Sequence, residues 1–336
     1  MNNIKIGLIG CGAASKRYYV PALKRHHGLC KNLFLVDKNL SAAQQLAHEL
    51  NTQYFTNDYK NIINEIDGII ISVPHQFHYE YSKIFLENGI HVLCEKPLSE
   101  TYKEAKNLVN LANTNNLTLM VNNTRRMFPS FRQIKNILAS SELGEIKYIN
   151  YFEAQEFGWE SSDGFYVNPN LTNKGILLDI GSHVLDTICW WLGDKPDLVD
   201  YFDDSFGGPE SLVHLVVEHN NCKINVKLNR LSDFDNYYEI SCENGKIMGS
   251  VYDWDKIILI KNNTKPKNVF FNNTPATFPE FVYQIIDNFV SVLSNNVVPL
   301  IEGKDVLDSI NLIEECYLNR QKFKLPWYEN LEALNE

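Results

Sequence analysis

Hydrophobic and polar positions follow two regimes along this chain. Up to residue 122, short runs that are apolar at nearly every position alternate with longer stretches of helical period. The apolar runs predict strands at 4–9, 32–36, 68–73, 91–94 and 117–121, with a weaker one around Tyr54. The intervening stretches predict helices up to about Arg25 and over 41–50, 60–64, 77–88 and 101–115. Strands apolar on both faces, with helices between them, describe a doubly wound parallel sheet. From residue 123 the pattern changes. A helix over 130–140 and an extended run over 146–156 lead into a strongly apolar helix at 175–191. Strand-like segments follow near 198–202, 212–217, 223–229, 237–242, 246–251 and 256–260, before helices return around 280–293 and 304–319. Strands without intervening helices are expected to pair antiparallel. The asparagine pairs at 262–263, 272–273 and 295–296 read as loops. The chain is therefore expected to form two domains, 1–122 and 123–336, an α/β parallel-sheet unit followed by an α+β unit.

The helix at 175–191 carries an unusual polar stripe. At about 100° per residue, Asp179, His183 and Asp186 share one face, while Leu177, Leu178, Ile180, Val184, Leu185, Ile188 and Trp191 cover the rest. An ordinary solvated face would carry long charged side chains. This stripe offers two short carboxylates and an imidazole, with Asp179 and His183 one turn apart, which suits proton transfer to a bound molecule.

The first strand runs directly into Gly10, Cys11, Gly12, Ala13, Ala14 and Ser15, and then a helix. Strand, glycine turn and helix make a phosphate cradle in which Gly10 permits the turn and Gly12 lets backbone approach a pyrophosphate. A ligand-free tight turn or a methyltransferase loop would read the same way. Asp37, at the end of the second strand, stands near the offset expected of an acid that binds ribose hydroxyls. That favours NAD over NADP, with the neighbouring Lys38 keeping NADP open. Ligands of such sheets lie at the carboxyl ends of strands, where Ser72, Pro74 and His78 follow one strand and Glu95, Lys96 and Pro97 another. Between residues 156 and 167, Phe157, Trp159, Phe165 and Tyr166 stand among Glu160 and Asp163, a mixture suited to a sugar. Trp159 is the substrate candidate there, and Arg126 is a second, as a phosphate ligand or a structural ion pair.

Composition excludes several classes. A formal net charge of −10 argues against nucleic acid or an anionic membrane as the main partner. Seven scattered cysteines have no metal-ligand spacing and are expected to be reduced thiols of a cytoplasmic protein, and no metal site is expected. No apolar run approaches a membrane span, and the strand pattern beginning at Ile4 leaves no expected leader peptide.

The segments GLIGCGAAS, the VD ending at Asp37, SVPHQFH at 72–78, CEKP at 94–97, RRMFP at 125–129 and DIGSHVLD at 179–186 together resemble the glucose-fructose oxidoreductase and inositol dehydrogenase (Gfo/Idh/MocA) family. The resemblance covers most of residues 1–193. It implies a Rossmann domain followed by a domain with a large, mostly antiparallel sheet, and hydride transfer between NAD(P) and a secondary hydroxyl or ketone of a sugar, cyclitol or nucleotide sugar. It places Lys96, Asp179 and His183 as catalytic residues and implies a homodimer or homotetramer. His183 is the better general base and Lys96 the alkoxide donor, with their roles exchangeable, while Asp179 orients the imidazole or holds a neighbouring hydroxyl. Asp186 is expected to be structural. Lys174, unfavourable near a helix start, suggests an anionic substrate group nearby. The competing reading is a non-catalytic, NAD(P)-sensing regulator on the same fold.

Overall fold

The computed structural model describes residues 4–158, 168–169, 172–205, 208–295 and 297–323. Trp159, Glu160, Asp163, Phe165 and Tyr166, singled out above, lie outside the described residues.

Six strands form the first sheet: β1 (Ile6–Ile9), β2 (Leu33–Val36), β3 (Tyr54–Thr56), β4 (Gly68–Ile71), β5 (His91–Glu95) and β6 (Leu119–Asn122). Their order is β3-β2-β1-β4-β5-β6, every pair parallel. Helices α1 (Val20–Arg25), α2 (His27–Cys30), α3 (Leu40–Leu50), α4 (His78–Glu87) and α5 (Tyr102–Thr114) connect them. All residues of β1, β2, β4 and β6 are buried, as their uninterrupted apolar runs require. A single 3₁₀ turn, Tyr59–Asn61, replaces the helix expected at 60–64, a segment too short to repay helix nucleation. The strand order reverses between β1 and β4, which opens a crevice above their carboxyl ends.

Nine strands form the second sheet: β7 (Ile146–Ala154), β8 (Asp197–Asp203), β9 (Leu212–His219), β10 (Cys222–Asn229), β11 (Tyr237–Cys242), β12 (Gly245–Gly249), β13 (Lys256–Lys261), β14 (Lys267–Phe270) and β15 (Gln321–Lys322). Their order is β14-β13-β12-β11-β7-β10-β9-β8-β15. The sheet is mostly antiparallel, but β7 pairs parallel with β10 and β15 parallel with β8. The mostly antiparallel expectation holds, and β7, separated from the later strands by the long helix that follows it, makes one of the two parallel pairs. Along β10, Cys222, Ile224, Val226 and Leu228 are buried while Lys223, Asn225, Lys227 and Asn229 alternate outward. Helices α6 (Pro129–Ala139), α7 (Ile176–Leu192), α8 (Phe278–Asn295) and α9 (Leu307–Leu318) complete the described helices. No described helix is long and apolar enough to cross a membrane.

The helix with the polar stripe is α7, and both its ends are fixed. Gly175 precedes it, so close to the Glu210 carbonyl that a Cβ would lie 2.0 Å from that oxygen. The Glu210 carboxylate accepts the Gly175 N–H at 3.0 Å and the Leu177 N–H at 2.9 Å, satisfying donors that a helix start leaves open. Tyr317 donates to the same carboxylate at 2.9 Å and Arg320 at 3.2 Å. At the other end Trp191 donates its indole N–H to the Phe131 carbonyl at 3.1 Å, and Gly193 stops the helix at φ +84°. Glu210→Ala removes the acceptor of two buried amides, so chemical denaturation should show a loss of about 3 kcal/mol.

Candidate active site

The glycine turn after β1 has the shape that a dinucleotide phosphate needs. Gly10 sits at φ +94°, and a Cβ there would lie 2.2 Å from the Ser72 carbonyl oxygen at the end of β4. A Cβ on Gly12 would meet nothing within 4 Å, so its backbone faces open space. Ser15 stands in place of a third small residue and donates its hydroxyl to the Gly10 carbonyl at 2.5 Å, tying helix start to turn. The Asp37 carboxylate accepts the Cys11 N–H at 2.7 Å and the Asn39 N–H at 2.8 Å. Each carboxylate oxygen keeps a lone pair for a ribose hydroxyl. The turn and Asp37 therefore fit a dinucleotide, with Ala13 half-buried beside the turn and Ala14 lining the adjoining cavity.

That cavity has a volume of about 910 Å³, and its walls include Ser72, Glu95, Lys96, Asp179, His183 and Arg230. Lys96 leaves β5 on the residue before a cis proline, Pro97. Its ammonium donates to the Asp179 Oδ1 at 2.9 Å and to the Asp179 carbonyl at 3.0 Å. One of its three N–H groups is left for another oxygen. Arg230, just past β10, donates to the other Asp179 oxygen at 3.3 Å and lies over the Phe157 ring at 5.2 Å. Burial alone would raise the Asp179 pKa, but Lys96 and Arg230 outweigh it and hold the carboxyl below its usual value. Burial, then Lys96, then Arg125 hold His183 well below the usual histidine range, so its imidazole is neutral at pH 7. His183 Nδ1 is buried without a hydrogen-bond partner.

Some expected roles change. Asp179 spends both carboxylate oxygens on Lys96 and Arg230 and does not orient the His183 ring. The Glu95 carboxylate accepts hydrogen bonds from Tyr19 at 2.8 Å and Asn122 at 2.7 Å. His78 is buried with one ring nitrogen 2.6 Å from the Pro97 carbonyl and the other 2.8 Å from the Val73 carbonyl. It braces the ends of β4 and β5 from the cavity wall, and Pro74 opens the 3₁₀ turn between them. Burial pushes the neighbouring His75 down to about 3.

Arg126 is not a substrate ligand. Its guanidinium makes two hydrogen bonds to Asp186, at 2.8 and 2.7 Å, and one to the Asp305 carbonyl, all away from the cavity. Asp186 is thereby the structural member of the polar stripe. Lys174 pairs with Glu100 at 2.8 Å, which removes the argument for an anionic substrate group. Arg125, next to Arg126 in the chain, does reach the cavity wall, held by Glu153 at 2.7 and 2.6 Å and by Tyr151 at 3.0 Å. Arg230 and Glu153 were not apparent from the sequence. Arg230 follows a polar strand end that reads as a turn, and Glu153 stands on a strand with no local sign that it faces inward.

A phosphate-cradling turn on a doubly wound sheet, facing a lysine, an aspartate and a neutral histidine, defines a nicotinamide-dinucleotide oxidoreductase class. Residues 4–123 match the oxidoreductase family with an NAD-binding Rossmann fold, and residues 131–248 match the GFO/IDH/MocA C-terminal domain. The chain belongs to the Gfo/Idh/MocA family. Curated relatives include D-glucoside 3-dehydrogenase of Escherichia coli K12, 28% identical over 56% of this chain and 54% of that protein. Another is the scyllo-inositol 2-dehydrogenase (NADP(+)) IolW of Bacillus subtilis 168, 25% identical over 60% of this chain and 59% of that one. The chain spans about half the length of the curated relatives it matches. Among solved structures, KijD10, a 3-ketoreductase from Actinomadura kijaniata in complex with NADP and TDP-benzene, shares the fold. It superposes with a TM-score of 0.83 at 18% identity, covering 97% of this chain and 100% of that chain.

Because Arg126 neutralises a buried carboxylate, Arg126→Met should cost about 3–5 kcal/mol of stability. The folded fraction should keep its substrate KM, so a raised KM with unchanged melting would return Arg126 to the binding site.

Proposed function

We propose that this chain is an NAD(P)-dependent oxidoreductase that moves a hydride between nicotinamide and a secondary hydroxyl or ketone of a sugar, cyclitol or nucleotide sugar. The observation that carries the reading is the 2.9 Å Lys96–Asp179 pair at the carboxyl end of β5, with neutral His183 one helical turn further along α7. When bound, the nicotinamide takes the hydride from the alcohol carbon or returns it to the ketone. The remaining proton belongs to the protein. His183, uncharged and in the cavity wall, accepts the hydroxyl proton, and the remaining Lys96 N–H stabilises the developing alkoxide. Asp179 fixes the lysine ammonium against that oxygen. The exchange of these two roles is the one permutation that the same groups allow. Asp37 favours NAD, since its carboxylate would repel a 2′-phosphate. The relatives named for glucoside and inositol oxidation support the substrate class.

Lys96→Ala and His183→Ala should each lower kcat by at least a hundredfold while NAD still binds, measured by turnover beside a fluorescence titration of NADH. Near-normal turnover in either variant would defeat the assignment. The sign of the pH effect follows from the depressed His183 pKa. A base is active when unprotonated, so kcat/KM should hold as pH falls through 6.5 and drop only well below it. A limb centred at pH 6.5 would mean that His183 is not the base.

We further propose that the chain assembles as a homodimer or homotetramer. By alternation Tyr148, Phe152 and Tyr237 lie on the face of the second sheet opposite Tyr151 and Tyr238, which pack toward α6 and α7. Light scattering should give two or four times the 38.7 kDa chain mass, and a monomer at micromolar concentration would refute this. The described cysteines are all free thiols, which suits a reducing cytoplasm.

A further inference from the structure

The cavity above Lys96 would take the nicotinamide end of the coenzyme as well as the reacting ring, and it extends past the groups that would hold them. Its volume of about 910 Å³ lies near the top of the range that encloses a drug-sized ligand. The groups that handle hydride and proton occupy only one end. Beyond them the cavity continues between α1 and the start of α8, along Pro21, Arg25, Phe278 and Glu280.

This arm has walls of a particular kind. The rings of Tyr18 and Phe278 lie 4.8 Å apart and tilted by 52°. Phe278 meets Phe128 edge to face at 6.3 Å, and Phe128 meets Trp254 at 5.4 Å. Trp254 is held in place by its indole N–H, which donates to the Pro275 carbonyl at 3.0 Å. At the outer end Arg25 pairs with Glu280 at 2.6 Å, and Glu280 also accepts the Ala276 N–H at 2.7 Å. Tyr18 joins the arm to the reacting end, since it lines the same cavity as Glu95 and Asp179. Aromatic faces along the sides and hydrogen-bonding groups at the tip match a ring with a C–H face and hydroxylated edges. The charges narrow the choice further. Arg25 is neutralised by Glu280, and the Arg17 guanidinium lies over the Tyr18 ring at 5.6 Å. A bridging pyrophosphate would ask for cations free of such commitments.

We propose that this arm is a subsite for a second, uncharged ring, so that the substrate is a glycoside or oligosaccharide and not a free monosaccharide or a nucleotide sugar. The reacting ring lies beside Lys96 and His183, and the appended ring lies against the wall made by Tyr18, Phe278 and Trp254 with its hydroxyls toward Arg25 and Glu280. The inference rests on the oxidoreductase reading above and selects one substrate class within it.

The test compares a free hexose, its methyl glycoside, a disaccharide, an aryl glycoside and a nucleoside-diphosphate hexose, with NAD, on the full chain. The two-ring substrates should exceed the methyl glycoside in kcat/KM by about tenfold. Phe278→Ala and the surface variant Arg25→Ala should each bring that ratio toward one, and Arg25→Ala serves if Phe278→Ala fails to fold. A ratio near one in the wild type, a ratio unmoved by Arg25→Ala, or a preference for the nucleotide sugar would each overturn the subsite. Tryptophan fluorescence reads binding without turnover. Two-ring ligands that bind in an Arg25-dependent way but are never oxidised would keep the subsite and defeat the reaction.

Discussion

The ion pair between Lys96 and Asp179 is the contact on which the rest of the site depends. Its two halves arrive by different routes, the lysine from the end of a buried parallel strand and the aspartate from the first turn of α7. Neither half is free to adjust. The β5 strand is hydrogen-bonded on both sides by β4 and β6, and α7 is pinned at its start by the buried Glu210 carboxylate. Partly buried charges are costly to assemble and costlier to leave single, so the sharing of Asp179 between Lys96 and Arg230 constrains three elements at once. The relative placement of Lys96, Asp179 and Arg230 is thus set by elements of both sheets and the helix between them.

Around this pair the molecule repeats the same device in layers. Arg125 with Glu153 lines the cavity, and Arg126 with Asp186 lies behind it, so two consecutive arginines serve opposite sides of one boundary. The first pair shapes the electrostatic field on His183, and the second anchors α7 to the segment after β6. Consecutive residues in a tight 3₁₀ turn, Thr124–Met127, point in different directions. That geometry explains how adjacent, chemically identical side chains divide between a wall and a foundation.

Much of this was legible in the sequence. The parallel sheet was readable because its strands are buried on both faces and so carry unbroken apolar runs. Lys96, Asp179 and His183 were readable because they sit at a strand end and on one helix face, where position in the chain implies position in space. Arg126 was misplaced for the reason that Arg230 was missed: both depend on partners far along the chain, 60 residues away at Asp186 and 51 at Asp179. No local period reports such pairings. The parallel β7–β10 pairing escaped for a related reason, since strand direction follows from the path of the whole intervening chain and not from the composition of either strand.

Two strand ends of the first sheet divide the labour between them. Asp37 closes β2 on one side of β1, while Lys96 closes β5 on the other, and His78 clasps the ends of β4 and β5 through the Val73 and Pro97 carbonyls. In the function proposed above, coenzyme choice and reaction chemistry are therefore written on opposite flanks of the central strand. A lineage could exchange one nicotinamide coenzyme for the other at the β2 flank and leave the geometry of proton transfer untouched.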